Sequence, residues 1–178
     1  MTGRIAPATV LFACTLVVTC ACPTRRPIAC SFFPEGPAVA CVEAKDGSIA
    51  VPAPSLAHAS FGFGGFDAIT IAGREGVHFV SRSGKTARAV MYDNGPDYVV
   101  EGLARIQRNG KMGFVNLQLD DVIAPVWDFA SPFHNGVAEV CTGCVPTQIP
   151  PDGEHTRMSG GTWSYIDKQG KAVVPPGR

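Results

Sequence analysis

The chain has 178 residues, with 15 basic and 15 acidic side chains that cancel to a formal net charge of zero. A nucleic-acid-binding protein needs a basic face; with that balance and no basic cluster beyond Arg25-Arg26, which is too small, a nucleic-acid partner is disfavoured. The 20 glycines and 15 prolines interrupt any helical period after roughly the first twenty residues, and apolar residues then recur at every second position, which predicts short strands.

The first residues have the form of an export signal: Arg4 supplies a positive end, and Ala8 to Ala21 is an uncharged, mostly apolar run. At about fourteen residues the run falls short of the ~20 that cross a bilayer, so residues 1–21 read as a cleaved signal peptide and not as a permanent anchor. In Thr19-Cys20-Ala21-Cys22 a small residue precedes Cys22. Cys22 is therefore the candidate for lipid attachment, with Cys20 as the alternative. The expected location is the bacterial envelope, lipid-anchored, and a soluble periplasmic protein is the other reading. Residues 22–37 begin Pro23-Thr24-Arg25-Arg26-Pro27 and read as a stiff proline-rich linker. Residues 38–178 read as one domain with a modest core.

The chain holds seven cysteines. If Cys22 is lipidated and Cys14 and Cys20 leave with the signal, then Cys30, Cys41, Cys141 and Cys144 remain, and an even number in an exported protein favours disulfides. The simplest pairing is Cys30 with Cys41 and Cys141 with Cys144. Crossed pairings stay open, because sequence alone does not fix connectivity.

From Lys45 onward the chain repeats itself. Lys45-Asp46-Gly47-Ser48-Ile49-Ala50-Val51-Pro52 is echoed weakly by Ser83-Gly84-Lys85-Thr86-Ala87 and closely by Lys168-Gln169-Gly170-Lys171-Ala172-Val173-Val174-Pro175. A second phrase, Gly102-Leu103-Ala104-Arg105-Ile106, passes through Asn109-Gly110 into Met112-Gly113-Phe114-Val115, and Gly136-Val137-Ala138-Glu139-Val140 leads on to Trp163-Ser164-Tyr165-Ile166. The spacings Gly65 to Gly102, Gly102 to Gly136 and Phe79 to Phe114 give a unit of about 35 residues, and an insertion at about 141–160 lengthens the last one. Asn109-Gly110 is the strongest hairpin signal, since both residues tolerate the positive φ of a tight two-residue turn. Asp167-Lys168-Gln169-Gly170 predicts a longer turn ending on a left-handed glycine. Pro52, Pro125 and Pro175 end their short strands, because proline cannot donate to a ladder. The predicted fold class is all-β: antiparallel hairpin repeats forming a curved or partly open sheet. Phe79, Leu103, Ile106, Met112, Phe114, Trp127, Phe133, Val137, Trp163 and Tyr165 are the expected repeat core.

Gly110-Lys111-Met112-Gly113-Phe114-Val115, Val126-Trp127-Asp128-Phe129-Ala130-Ser131-Pro132-Phe133 and Gly161-Thr162-Trp163-Ser164-Tyr165-Ile166-Asp167 resemble the WG repeat family, named for a Trp-Gly pair within each unit. The pair is intact nowhere: Met112 replaces the tryptophan, Ser164 replaces the glycine, and Val77-His78 replaces both. Leu119 also stands where a turn glycine is expected. The resemblance implies a β-repeat module of exported bacterial proteins, with a packing motif and no catalytic residue to carry over.

No catalytic, cofactor-binding or metal-binding residue is assigned from sequence. Cys141-Thr142-Gly143-Cys144 admits a redox or metal reading, the latter with His155, but no helical pattern follows it and no second ligand pair is in sight. His58, His78 and His134 are scattered, and Asp120 and Asp121, as strand neighbours, point to opposite faces and cannot work as an acid–base pair. Phe61-Gly62-Phe63-Gly64-Gly65-Phe66 lacks the lysine and hydroxyl residue of a phosphate loop; its aromatics are expected to pack between repeat units. The expectation is a non-enzymatic module that binds another protein or an envelope polymer. A small envelope enzyme built on the Cys141/Cys144 region is the alternative.

Overall fold

A computed structural model describes residues 25–149 and 156–174. The expected signal peptide, Cys20, Cys22 and His155 lie outside the described residues. Among the described residues, four three-stranded meanders follow one another in the chain. The first is β1 (Arg26–Phe32), β2 (Ala38–Glu43) and β3 (Ile49–Ala50); a single helical turn, α1 (Ala53–Leu56), leads to β4 (Asp67–Ile71), β5 (Val77–Val80) and β6 (Thr86–Arg88). A small hairpin, β7 (Met91–Tyr92) and β8 (Gly95–Pro96), precedes the third meander, β9 (Ala104–Arg108), β10 (Lys111–Val115) and β11 (Asp121–Trp127). The short β12 (Phe129–Ala130) introduces the last, β13 (Val137–Gln148), β14 (Thr156–Asp167) and β15 (Ala172–Val173). The first two meanders join through β1 and β4 into one sheet of order β3-β2-β1-β4-β5-β6, and the others form sheets β11-β10-β9 and β12-β13-β14-β15. The fold is all-β and antiparallel, as the alternation predicts.

The repeat is written most plainly in its second turn. In each of Ala44–Ser48, Ser81–Lys85, Asn116–Asp120 and Asp167–Lys171 the first residue donates its N–H to the carbonyl of the fifth and accepts from the N–H of the fourth. The fourth residue takes a left-handed φ: 80° at Gly47, 82° at Gly84, 58° at Leu119 and 77° at Gly170. Leu119 tolerates a conformation that disfavours a Cβ because Asn116 Oδ1 accepts from the N–H groups of Gln118 and Asp120, and because its side chain is buried in the core cluster that holds Phe66 and Phe79. The Asn109-Gly110 turn forms as expected, with φ of 51° and 74° and Arg108 facing Lys111.

Strand alternation sends each meander's apolar residues to two sides, so that neighbours cover one another. Cys30, Cys41, Ile69 and Val80 lie in one cluster; Phe79, Ile106 and Val115 in a second; Phe114, Phe133, Val140 and Ile166 in a third. Adjacent residues Phe114 and Val115 thus enter different clusters, and β10 is buried on both faces. Burial of a side chain the size of Phe114 contributes roughly 2–3 kcal/mol. The Phe61–Phe66 stretch also packs between units: Phe66 is fully buried and Phe63 lies against the second cluster, while Phe61 stacks beneath the guanidinium of Arg82.

One boundary differs from the sequence reading. Within the expected linker, residues 26–32 form β1, paired with both β2 and β4, and bury Cys30 and Phe32. Of the prolines that suggested a spacer, Pro23 lies outside the described residues and Pro27 is the strand's second residue, where a missing N–H does no harm. The expected insertion extends the last hairpin into a ribbon whose pairing runs from Val137–Asp167 to Gln148–Thr156. The expected core also needs correction. Leu103, Met112 and Trp127 are only partly buried against the third cluster, Val137 and Tyr165 are half-buried, and Trp163 is 37% exposed. Val137, Tyr165 and Trp163 share the outer face of the last meander, which no further unit covers among the described residues, and β15 is two residues long.

His78 lies on β5 with its Nδ1 buried and unpartnered. Burial, aided by the charges of Arg88 and Arg74, lowers its pKa from the usual 6.5 to about 4. The folded value lies below the unfolded one, so the stability this residue contributes is complete above pH 6.5 and is lost progressively as pH falls to about 4. His78→Phe is expected to remove an acid-induced loss of about 1–2 kcal/mol across that window, discounted for the partial exposure of the ring. Urea unfolding of both proteins at about pH 7 and pH 4.5 checks it; equal losses in the two proteins would show that folding does not lower the His78 pKa.

Candidate functional site

A hollow of about 830 Å³ opens between the β7–β8 hairpin, the third meander and the long ribbon. One wall carries Tyr92 and Tyr98, 58% and 69% exposed, their rings edge to face at 6.0 Å. The hairpin is only two pairs long, Met91–Pro96 and Tyr92–Gly95, so its aromatics cannot fold back into a core of their own. The opposite wall is built by register. Phe129 on β12 and Trp163 on β14 both stand opposite Cys141 on β13, which directs them to one face with ring centroids 5.8 Å apart. Trp163 Nε1 donates to the Gly160 carbonyl at 2.8 Å, fixing the indole at the edge of the groove.

Below these rings lies a buried ion pair. Arg105 Nε donates to Asp97 Oδ2 at 2.6 Å, with side chains 8% and 3% exposed, and Arg105 Nη1 donates to the Ala130 carbonyl at 2.7 Å. Arg105 and Glu139 occupy equivalent repeat positions, opposite Phe114 and Tyr165, and both line the groove. Glu139 Oε1 accepts from the Tyr165 hydroxyl at 3.0 Å, and among the described residues no ion pair engages it.

The ribbon bends where it leaves the sheet. Gly143, Gly160 and Gly161 have φ of 78°, 69° and 67°, and a Cβ on Gly161 would fall 2.4 Å from the Cys144 amide nitrogen, so only glycine fits there. Asp128 holds the bend: it accepts from Lys111 Nζ at 2.5 Å and from the Gly143 N–H at 2.7 Å. The ammonium, then the N–H, keep its carboxyl below the ordinary carboxylate range.

Cys30 lies against Cys41 and Cys141 against Cys144 as disulfide pairs, the simplest connectivity. Cys141 and Cys144 are buried and lie within a strand that continues to Gln148; no helix begins at Cys144 to lower a thiol pKa. Among the described residues no group of three His, Cys, Asp or Glu side chains is arranged to hold a metal. His58 and His134 are exposed, Asp120 pairs with Lys85, and Asp121 pairs with Arg108. The sequence reading passed over Met91, Tyr92, Asp97, Tyr98, Arg105 and Glu139. The only local signal was an aromatic hairpin phrase, Met91-Tyr92-Asp93-Asn94-Gly95, that fits no repeat.

Three-stranded meanders with one shared turn, stacked face on face, define a β-repeat protein with an aromatic groove on its surface. The family model described as WG containing repeat matches residues 112–143, from β10 to the start of β13, and 163–177, from the end of β14 onward. No curated protein and no solved structure matches the chain.

Proposed function

We propose that this protein is a non-enzymatic binding module of the bacterial envelope, exported through residues 1–21, anchored by a lipid on Cys22, and engaging a partner protein in the aromatic groove. The observation that carries the reading is the exposure of Tyr92, Tyr98 and Trp163 around one cavity. At the repeat position of Trp163 the third meander holds Met112, packed against the third cluster. Large aromatic side chains left half in water around a concavity are the usual anchors of protein interfaces. The volume of about 830 Å³ lies within the range of built binding sites.

The test is cross-linking in envelope extracts with the intact protein and with a Tyr98→Ala/Trp163→Ser variant. The variant is expected to keep its unfolding midpoint and lose the partners that the intact chain captures. Capture of the same partners by both would exclude the groove. Recovery of none by the intact chain, with turnover of a substrate panel, would exclude the binding reading and favour an enzyme. Labelling with a fatty-acid analogue, abolished by Cys22→Ala, tests the anchor.

A further inference from the structure

We infer that the groove selects a basic side chain, arginine or lysine, presented by an extended segment of the partner polypeptide. The inference rests on the binding reading above and adds the chemistry of the ligand. Charge within the cavity decides the sign. The Arg105 guanidinium is satisfied by Asp97 and by the Ala130 carbonyl, so it has little to offer an anion. Glu139 carries the one carboxylate on the lining that no cation neutralises among the described residues, and the hydrogen bond it accepts from Tyr165 engages Oε1 alone. A half-buried carboxylate beside apolar walls gains from an arriving cation. Arg157, the remaining charged lining residue, is exposed on the ribbon beyond the Gly160-Gly161 bend, where solvent and salt screen it.

The aromatic walls favour the same sign. Phe129 and Trp163 on one side and Tyr92 and Tyr98 on the other present ring faces and edges to the hollow, and the negative face of an aromatic ring attracts ammonium and guanidinium groups. A polypeptide is favoured by the adjoining backbone. β15 pairs only with Tyr165 and Ile166, so among the described residues the edge of β14 that faces away from β13 has no strand beside it from Thr156 to Ser164. Thr156, Arg157 and Met158 on this edge line the groove. Unpaired N–H and C=O groups there can accept an added strand, while the cavity holds one of its side chains.

Titration calorimetry and Trp fluorescence with short blocked peptides test this, using a central arginine, a central lysine, or citrulline in the same sequence. The basic peptides are expected to bind about tenfold tighter than the citrulline peptide. Glu139→Gln should reduce that preference to within about twofold while leaving the thermal midpoint in place, and Trp163→Ser should weaken all three peptides. Equal binding of arginine and citrulline peptides, or an undiminished preference in Glu139→Gln, would overturn the inference. So would binding of tetramethylammonium or a neutral oligosaccharide as tight as that of the basic peptides. If cross-linking still depends on Tyr98 and Trp163 but no basic peptide binds, the ligand chemistry is wrong and the groove reading stands. If neither holds, the groove reading fails first.

Discussion

Gly113→Ala is expected to destabilise the protein by about 3 kcal/mol or more, read as a shift in urea midpoint with an unchanged slope. Gly113 is the glycine of the repeat's central pair, and its φ is not in the left-handed region, so backbone freedom is not what the position needs. Space is what it needs. Between Met112–Trp127 and Phe114–Ile123 the pairing of β10 with β11 shifts register, and the extra residues of β11 crowd the strand. A Cβ on Gly113 would meet the Ile123 carbonyl oxygen at 2.5 Å, Pro125 N at 2.6 Å and Pro125 Cα at 2.7 Å. These are backbone atoms between two buried clusters, and they cannot swing aside as a side-chain tip would. Pro125 sits at the irregularity, where its missing N–H leaves no gap in the ladder. Ser164→Ala, at the equivalent place in the last meander, is the control and should change stability by less than about 1 kcal/mol. A Gly113→Ala variant as stable as the parent would mean that β11 can shift freely.

The same geometry explains why the glycine is absent elsewhere. In the second meander His78 takes this position opposite Arg88 in a regular pairing, which leaves room for a Cβ. In the last, β15 reaches only Tyr165 and Ile166, so among the described residues no third strand lies across from Ser164. Departures from the family phrase therefore follow the path of the third strand, which no single unit's sequence displays. Local signals were legible: the alternation along Ala104–Arg108, the Asn109-Gly110 turn and the Asp167–Gly170 turn depend on residues close in the chain. β1 was hidden because Pro27 falls at the strand start, where it reads as spacer. Trp163 read as core because its period is that of a core residue. Its exposure depends on the lack of a covering strand on that face, which alternation cannot register. The groove was least visible of all, since Tyr98, Arg105, Glu139 and Trp163 come from separate elements and meet only when the third and fourth meanders stack.

Arg105→Met is expected to cost about 3–5 kcal/mol, because it leaves the Asp97 carboxylate buried without a counter-charge and the Ala130 carbonyl without its donor. The contrast with exposed pairs is large. Lys85–Asp120, with side chains 55% and 54% exposed, should contribute no more than about 1 kcal/mol, whereas Arg105–Asp97 is almost wholly withdrawn from water. Asp97→Asn alone should also destabilise, by leaving a buried guanidinium short of a charged partner. The double variant Asp97→Leu/Arg105→Met is expected to recover much of the loss, since two apolar side chains need no neutralisation. A double-mutant cycle from urea unfolding measures the coupling; single losses that simply add would show that the two side chains do not interact. Recovery of stability need not recover binding. Arg105 ties β9 to Ala130 in β12 and, through Asp97, to the segment carrying Tyr98, so it sets the spacing of the two aromatic walls. A double variant that folds well and yet binds the basic peptides poorly would show that the buried pair positions the groove, beyond its part in stability.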